Sequence, residues 1–325
     1  MNKIWLVIKR EYLTRVRSRT FIISTFVTPL FFVGLIVAIA YFSTHNPDNG
    51  PNVVADSMAR NEAAAQNEHS GMAYIVGYVS AFAIYITILI YGTMVMRGVA
   101  EEKMNRIAEI IISSVRPFQL MTGKIIGIGA VGLTQFILWI LLITAFSLVA
   151  ILFIPTGAMQ GAGNAESQAQ AASFLSSLGT VNFPLIIFCF IFYFIFGYLF
   201  YASLFAAVGS AVNEDAQDTQ SLLLPVTMPI ILAIIIMMQA INHPTGSLAT
   251  WSSMIPFFSP MVMMARLPFG VPSTVPVWQL ALSMLLLLGG FLFTTWVSAK
   301  IYRTGILLYG KKITWKEMWK WTLRS

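Results

Sequence analysis

Long apolar runs alternate with short polar connections along the 325-residue chain. A helix needs about 20 apolar residues to cross the roughly 30 Å hydrocarbon core of a bilayer. Six runs reach this length, and none of them contains Asp, Glu, Lys, Arg or His. The pattern therefore predicts six transmembrane helices, at residues 20–43, 73–96, 125–154, 183–212, 222–241 and 277–299.

Residues 251–271 form a further apolar stretch, which three prolines interrupt and which carries Arg266. Proline removes a backbone donor and breaks helices, so the freed groups need partners in protein or water. We therefore interpret residues 242–276 as an external re-entrant helical segment before span six. Arg266 is a candidate external-gate or substrate contact, although such a side chain more commonly snorkels to water.

The composition is typical of a membrane protein, and this affects the interpretation of the net positive charge. Apolar residues make up 57% of the chain and charged residues only 10%, which is too apolar for a water-soluble surface. The net charge of +7 comes from cations placed beside the apolar runs. Anionic lipid headgroups, rather than nucleic acid, are the expected counter-charge. The predicted fold class is an all-α integral membrane protein.

The basic residues also predict an orientation. Residues 1–19 hold six Lys or Arg, residues 97–124 hold five and residues 300–325 hold seven. Cytoplasmic segments carry such an excess. Both termini are therefore expected in the cytoplasm, with residues 300–325 forming a basic tail. The other connections are external loops at 44–72 and 155–182 and a cytoplasmic loop at 213–221.

The amino-terminal segment, residues 1–19, has the periodicity of an amphipathic helix. Apolar residues recur at steps of three and four, and basic residues recur every seven on another face: Trp5, Ile8, Tyr12 and Val16, and Lys3, Arg10 and Arg17. Such a helix lies at the headgroup boundary, so lipid contact is expected through Lys3, Trp5, Arg10 and Arg17. A solvated basic leader is the alternative.

Between spans two and three, residues 97–124 combine dense charge with helical spacing. Glu102 and Arg106 are four apart, and Arg106 and Glu109 are three apart, which are spacings that support a helix. Pro117 is expected to end it. The pattern predicts a short cytoplasmic helix with one charged and one apolar face. From periodicity alone, it either binds a cytosolic protein or forms a solvated hairpin.

The segment "EEKMNRIAEIIISSVRPFQLMTGKIIGIG" resembles the region after span two in permeases of type-2 ABC exporters, particularly the NatB-like, sodium-efflux group. The stretches "IWLVIKREYLTRVRSRTFIISTFVTPL", "IPFFSPMVMMARLPFGVP" and "KIYRTGILLYGKK" are similar to that group as well. The family has six spans, a surface helix, a coupling helix and a re-entrant pair. NatB-like members often carry a folded external domain after span one, whereas residues 44–72 are too few and too polar for one.

The resemblance implies that a separate cytosolic ATPase contacts the coupling helix. The implied contacts are Glu101, Glu102, Lys103, Met104, Arg106, Ile107, Glu109, Ile110 and Ile111. It also implies a bacterial plasma (inner) membrane location. A second permease chain, identical or related, is expected as well, because six helices alone rarely enclose both a pathway and its gates. ATP and Mg²⁺ would bind the partner, and no cofactor, metal or catalytic residue is expected in this chain.

Two motifs bear on the energy source. No GxxxxGK[ST] phosphate loop occurs in the chain, so ATP hydrolysis is expected elsewhere. Gly127, Gly129 and Gly132 spell GxGxxG within an apolar run, where glycines are expected to let helices approach closely, as does the Gly123–Gly127 spacing.

The predicted function is the permease subunit of an ATP-driven exporter of an ion, drug, peptide or lipid-like substrate. The alternatives are a non-transporting, mechanotransmitting subunit or a secondary carrier.

Overall fold

A computed structural model describes residues 3–19, 21–31, 34, 70–105, 116–153, 182–212, 216–306, 308 and 315–323. Within these ranges the regular structure is helical. The chain divides into two compact units. Unit 1 comprises Met1–Leu13, Tyr74–Gly132 and Asn182–Ser325, and unit 2 comprises Thr14–Ala73 and Leu133–Val181.

The helices follow the apolar pattern of the sequence. In chain order they are α1 (Lys3–Val16), α2 (Phe21–Phe31), α3 (Ser70–Met104), α4 (Pro117–Phe153), α5 (Phe183–Ala211), α6 (Ala216–Asn242), α7 (Ser247–Ser252), α8 (Ser259–Arg266), α9 (Val277–Gly305) and α10 (Trp315–Leu323). A 3-10 turn, Leu267–Phe269, follows α8. Five of these helices, α3, α4, α5, α6 and α9, are long and apolar enough to cross a membrane.

The predicted first span overlaps α2, whose 11 described residues are too few to count as a crossing. Six spans therefore remain a prediction, because the rest of 20–43 is almost entirely outside the described residues. Ser18 caps the start of α2, since its Oγ accepts a hydrogen bond from the Phe21 amide at 3.2 Å. This hydroxyl satisfies a donor that the first turn of a helix leaves open.

Two helix ends differ from the predicted boundaries. Helix α3 continues to Met104, eight residues beyond the predicted end at 96, and α4 begins at Pro117, eight residues before the predicted start at 125. Pro117 therefore opens a helix, which suits its fixed φ and missing donor. The predicted coupling helix falls mainly on residues 106–115, which lie outside the described part of the chain.

Helices α5 and α9 pack in parallel within unit 1. The hydroxyl of Tyr193 donates to Ser283 Oγ at 2.9 Å. Further along the same two helices, Ser203 Oγ donates to Thr294 Oγ1 at 2.9 Å. At the far end Gly305 lies against Ser210, where an added Cβ would be 2.8 Å from Ser210 Oγ. The three contacts follow one another in the same order along both helices, which places α5 and α9 side by side along their length.

Helix α1 lies against α4 at two glycines. A Cβ on Gly123 would be 2.8 Å from Val7 Cβ, and one on Gly127 would be 2.8 Å from Glu11 Cβ and 3.1 Å from the Ile8 carbonyl. Only glycine allows the two backbones to approach this closely. The predicted role of the Gly123–Gly127 spacing in helix packing is therefore confirmed.

Unit 2 contains α2 and the second part of α4. Within it, Gln135 Nε2 donates to Ser24 Oγ at 3.2 Å. The hydroxyl of Thr25 is satisfied inside α2 by the Phe21 carbonyl, at 2.7 Å. Polar groups of these apolar helices thus find partners on the protein, as a lipid environment requires.

Candidate coupling site

A buried group of charged side chains joins three helices of unit 1. The ammonium of Lys124 on α4 lies 2.9 Å from Glu102 Oε1 on α3 and 3.7 Å from Glu11 Oε1 on α1. It also donates to the Gly98 carbonyl at 2.8 Å. Lys124 is 1% exposed, and both glutamates are buried. We call Glu11, Glu102 and Lys124 the charge cluster.

A second buried lysine lies next to this cluster in sequence. Lys103 Nζ donates to the Ser210 carbonyl at 2.7 Å, and its side chain is 2% exposed. Ser210 belongs to the last turn of α5, where carbonyls have no partner within the helix and the macrodipole is negative. The ammonium of Lys103 therefore compensates the end of α5, and it fastens α3 to that helix.

The charge cluster contains two carboxylates and one ammonium, which is an excess of one negative charge, and it is only partly hydrogen-bonded. Within the described residues, Glu102 Oε2 and the buried Tyr302 hydroxyl of α9 have no hydrogen-bond partner. Removing one partner of a buried ion pair leaves an uncompensated charge and costs about 3–5 kcal/mol. The cluster consequently holds α1, α3 and α4 in one arrangement.

The residues predicted to contact an ATPase fall into an exposed group and a buried group. Glu101 and Met104 are exposed, whereas Glu102 and Lys103 point inward to the partners described above. Glu102 Oε1 lies 2.9 Å from Lys124 Nζ, and the predicted pair of Glu102 with Arg106 stays a prediction because Arg106 is outside the described residues. The remaining predicted contacts lie outside the described residues: Arg106, Ile107, Glu109, Ile110 and Ile111.

The predicted lipid contacts of α1 lie on its outside. Trp5 is 58% exposed, and Lys3, Arg10 and Arg17 are exposed as well. The buried residue of this helix is Glu11. Contact of the exposed residues with lipid stays a prediction.

Arg266 is expected from the sequence to extend its side chain to water, but the residue is buried, with only 1% of its surface exposed. Its guanidinium donates to the Pro244 carbonyl at 2.7 Å and to Ser253 Oγ at 2.5 Å. Thr250 Oγ1 and Gln279 Oε1 accept further bonds, each at 3.3 Å. Burial lowers the pKa of the guanidinium from its ordinary value. Neutral oxygens from around α6, α7 and α9 therefore hold this cation, and its role at a gate or substrate stays a prediction.

The tyrosines of α5 also bond within the protein. Tyr198 donates to the Ile125 carbonyl at 2.8 Å and Tyr201 to the Phe257 carbonyl at 2.6 Å, in addition to the bond from Tyr193 to Ser283. From the sequence, these groups either line a path or hydrogen-bond neighbouring helices. The described contacts are helix-joining hydrogen bonds.

Sequence reasoning missed the charge cluster, although two signals were present. Glu11 is the only acid among residues 1–19, which hold six cations. Lys124 lies between Gly123 and an apolar run at the start of span three. A lone charge that interrupts a pattern of this kind needs a partner when it is buried.

Comparison with known proteins identifies the family. A family model described as "ABC-2 family transporter protein" matches residues 57–300. YhaP of Bacillus subtilis, named as an uncharacterised protein, is 33% identical over 266 residues, which cover 82% of this chain and 59% of YhaP. MJ1024 of Methanocaldococcus jannaschii, also named as uncharacterised, is 29% identical over 245 residues, covering 75% and 52% of the two chains.

The chain thus spans between half and three-fifths of the length of these curated relatives. Their names state no substrate. The family match, by contrast, covers most of the chain and includes four of the five described helices that could cross a membrane, together with all but the last turn of α9. On this evidence, the chain belongs to the ABC-2 family of transporter proteins.

Proposed function

We propose that the chain is the permease subunit of an ATP-driven exporter, which moves a substrate out of the cytoplasm. A separate cytosolic ABC ATPase, carrying ATP and Mg²⁺, supplies the energy. Membership of the ABC-2 family supports this proposal, because such permeases generally act with an ATPase subunit. The proposed topology has six spans in the bacterial inner membrane, with both termini cytoplasmic, and the complex contains a second permease chain.

The observation that carries the proposal is the placement of the charge cluster. Glu102 and Lys124 lie on α3 and α4, the two helices that flank the connection at residues 105–116, and Glu11 adds the surface helix α1. A protein that binds the connection would displace α3 and α4 together, because their ends are tied by an ion pair with little exposure to water. Lys103 extends this link to α5.

The proposed contact for the ATPase is the exposed part of the connection. Glu101 and Met104 offer one acidic and one apolar side chain beside the buried pair. The apolar and charged groups of the following residues, Arg106 to Ile111, belong to the same proposed contact. Glu102 and Lys103 then act from behind this surface by holding the helix ends in place.

Reconstitution tests this function. The chain is purified from native membranes, the co-purifying proteins are identified, and transport is measured in vesicles with and without the ATPase. We expect an ATPase partner and transport that requires ATP. Uphill transport by the chain alone, using only an ion gradient, would refute the proposal in favour of a secondary carrier. ATP hydrolysis by the complex without movement of any ion, drug, peptide or lipid-like cargo would instead support a mechanotransmitting subunit.

A further inference from the structure

An apolar groove of about 370 Å³ runs along α9 in unit 1. Its floor includes Phe200 and Ala207 of α5, which are buried, and Thr294 of α9, whose hydroxyl is bonded to Ser203. Phe293, by contrast, lines the groove and is 59% exposed. The groove is therefore a cleft open on one side, with walls that consist almost entirely of carbon.

The length of the groove matches one leaflet of a bilayer. Along α9 its lining begins at Gly290 and ends at Ile301, a rise of about 17 Å at roughly 1.5 Å per residue. Half of a hydrocarbon core is about 15 Å. Pro256 closes the groove beside Gly290, where an added Cβ would be 3.1 Å from the proline ring. The closed end thus lies near the middle of the span and the other end near its terminus.

The second end of the groove meets α10, an amphipathic helix. Met318 of α10 is buried in the groove, while Trp319 lines its mouth and is 61% exposed. The described charged side chains of α10 and of the last two turns of α9 are four cations and one acid: Lys300, Arg303, Lys316, Lys320 and Glu317. A tryptophan among lysines is typical of the headgroup level of a membrane.

We propose that this groove binds one acyl chain of an anionic phospholipid, with the headgroup phosphate beside Lys316 and Lys320. The apolar walls exclude a polar ligand, and the length accommodates a chain from a single leaflet. The excess of cations at the mouth complements a phosphate, and basic residues near an anionic lipid surface each contribute to binding. The assignment to the cytoplasmic leaflet rests on the proposed topology, whereas the groove itself requires no ATPase.

The test uses the chain alone in phosphatidylcholine vesicles that contain phosphatidylglycerol with a diazirine midway along one acyl chain. After illumination, labelled residues are located by mass spectrometry. We expect the labelling of groove residues to be saturable, so that excess unlabelled phosphatidylglycerol displaces the photoreactive lipid from the groove. Labelling of Leu292, which is 60% exposed and lies outside the groove, should only fall in proportion to dilution.

Two tryptophan variants separate the groove from the general lipid surface. Val297→Trp fills the groove and should abolish the saturable labelling, whereas Leu292→Trp places the same side chain on the exposed face of α9 and should retain it. Saturable labelling that survives Val297→Trp, or groove labelling that never saturates, would overturn the proposal.

A third variant guards against misfolding of Val297→Trp. Lys316 and Lys320 are exposed, so Lys316→Gln with Lys320→Gln leaves the groove intact. We expect the affinity for phosphatidylglycerol to fall by about fivefold per lysine removed at low ionic strength, and competition by phosphatidylcholine to stay unchanged. Equal competition by the two lipids against the unmodified chain would refute the headgroup assignment. Failure of ATP-dependent transport would refute the exporter and leave these results standing.

Discussion

Lys124 Nζ lies 2.9 Å from Glu102 Oε1, although the two residues belong to different helices, α3 and α4, on either side of the connection at residues 105–116. Both side chains are almost completely buried. The pair therefore closes the connection at its base, and it leaves the exposed Glu101 and Met104 for contact with other molecules.

Lys124→Met should destabilise the protein by about 3–5 kcal/mol, because it leaves the carboxylates of Glu11 and Glu102 buried without their cation. Thermal unfolding of the detergent-solubilised chain measures the effect. Arg97→Met, which removes an exposed cation of α3, is the matched control and should change stability little. Adding Glu102→Gln to Lys124→Met should restore part of the loss. Equal melting temperatures for Lys124→Met and Arg97→Met would contradict a structural role for the cluster.

Glu101→Arg should weaken association with the ATPase while leaving thermal stability unchanged, because Glu101 is exposed at the end of α3. Glu102→Arg is expected to lower stability first, since its carboxylate is buried against Lys124. Pull-down of the ATPase and thermal unfolding are measured for both variants. A normal pull-down with Glu101→Arg would argue against this face as the contact.

Gly127→Ala should displace α1 from α4, because the new methyl group would lie 2.8 Å from Glu11 Cβ. We expect a loss of about 1–3 kcal/mol from overpacking. Gly289→Ala is the control, since no atom lies within 4 Å of the corresponding position, and alanine is favoured over glycine in a helix. Thermal unfolding compares the two, and a neutral Gly127→Ala would show that α1 does not pack closely there.

Arg266→Lys should destabilise the segment around α7 and α8, because an ammonium cannot reproduce the planar fork that bonds several acceptors. Each buried acceptor left without a donor costs about 1–3 kcal/mol. Hydrogen exchange of the backbone near Pro244 and Ser253 measures the loosening. Arg303→Lys on the exposed surface of α9 should have no such effect, and identical exchange in both variants would refute the role of the guanidinium.

Cysteines placed at Asn61 and Lys312 should label from opposite sides of the membrane with an impermeant thiol reagent. The prediction follows from six spans with both termini in the cytoplasm. Cys189 is buried and should stay unlabelled, which provides an internal control. Labelling of both introduced cysteines from one side would exclude the six-span topology.

The positions of the long helices could be predicted from sequence, but their ends could not. The uncharged apolar runs predicted the bounds of α5 and α9 to within a few residues, because a helix that crosses lipid cannot expose charged side chains. Helix α3 extends past its apolar run to Met104, since Glu102 and Lys103 are paired with distant groups and so do not interrupt the helix. The prediction that the helix ends where charged residues begin therefore placed the end of α3 too early.

The candidate site was harder to predict because its contacts are tertiary. The spacing of Glu102 and Arg106 favours a pair on one helix, but it gives no information about the contact of Glu102 with Lys124 of α4 or of Lys124 with Glu11 of α1. No local pattern relates residues so far apart. For Arg266, the sequence indicated an isolated charge but could not indicate that a carbonyl, two hydroxyls and an amide surround it.

The inward position of Glu11 has a consequence for the outer surface of α1. Because the single acid of residues 1–19 faces Lys124, the exposed side of this helix carries cations and no acidic side chain. Its attraction to a negatively charged bilayer should accordingly decay with added salt, as the screening length shortens to about 8 Å at physiological ionic strength.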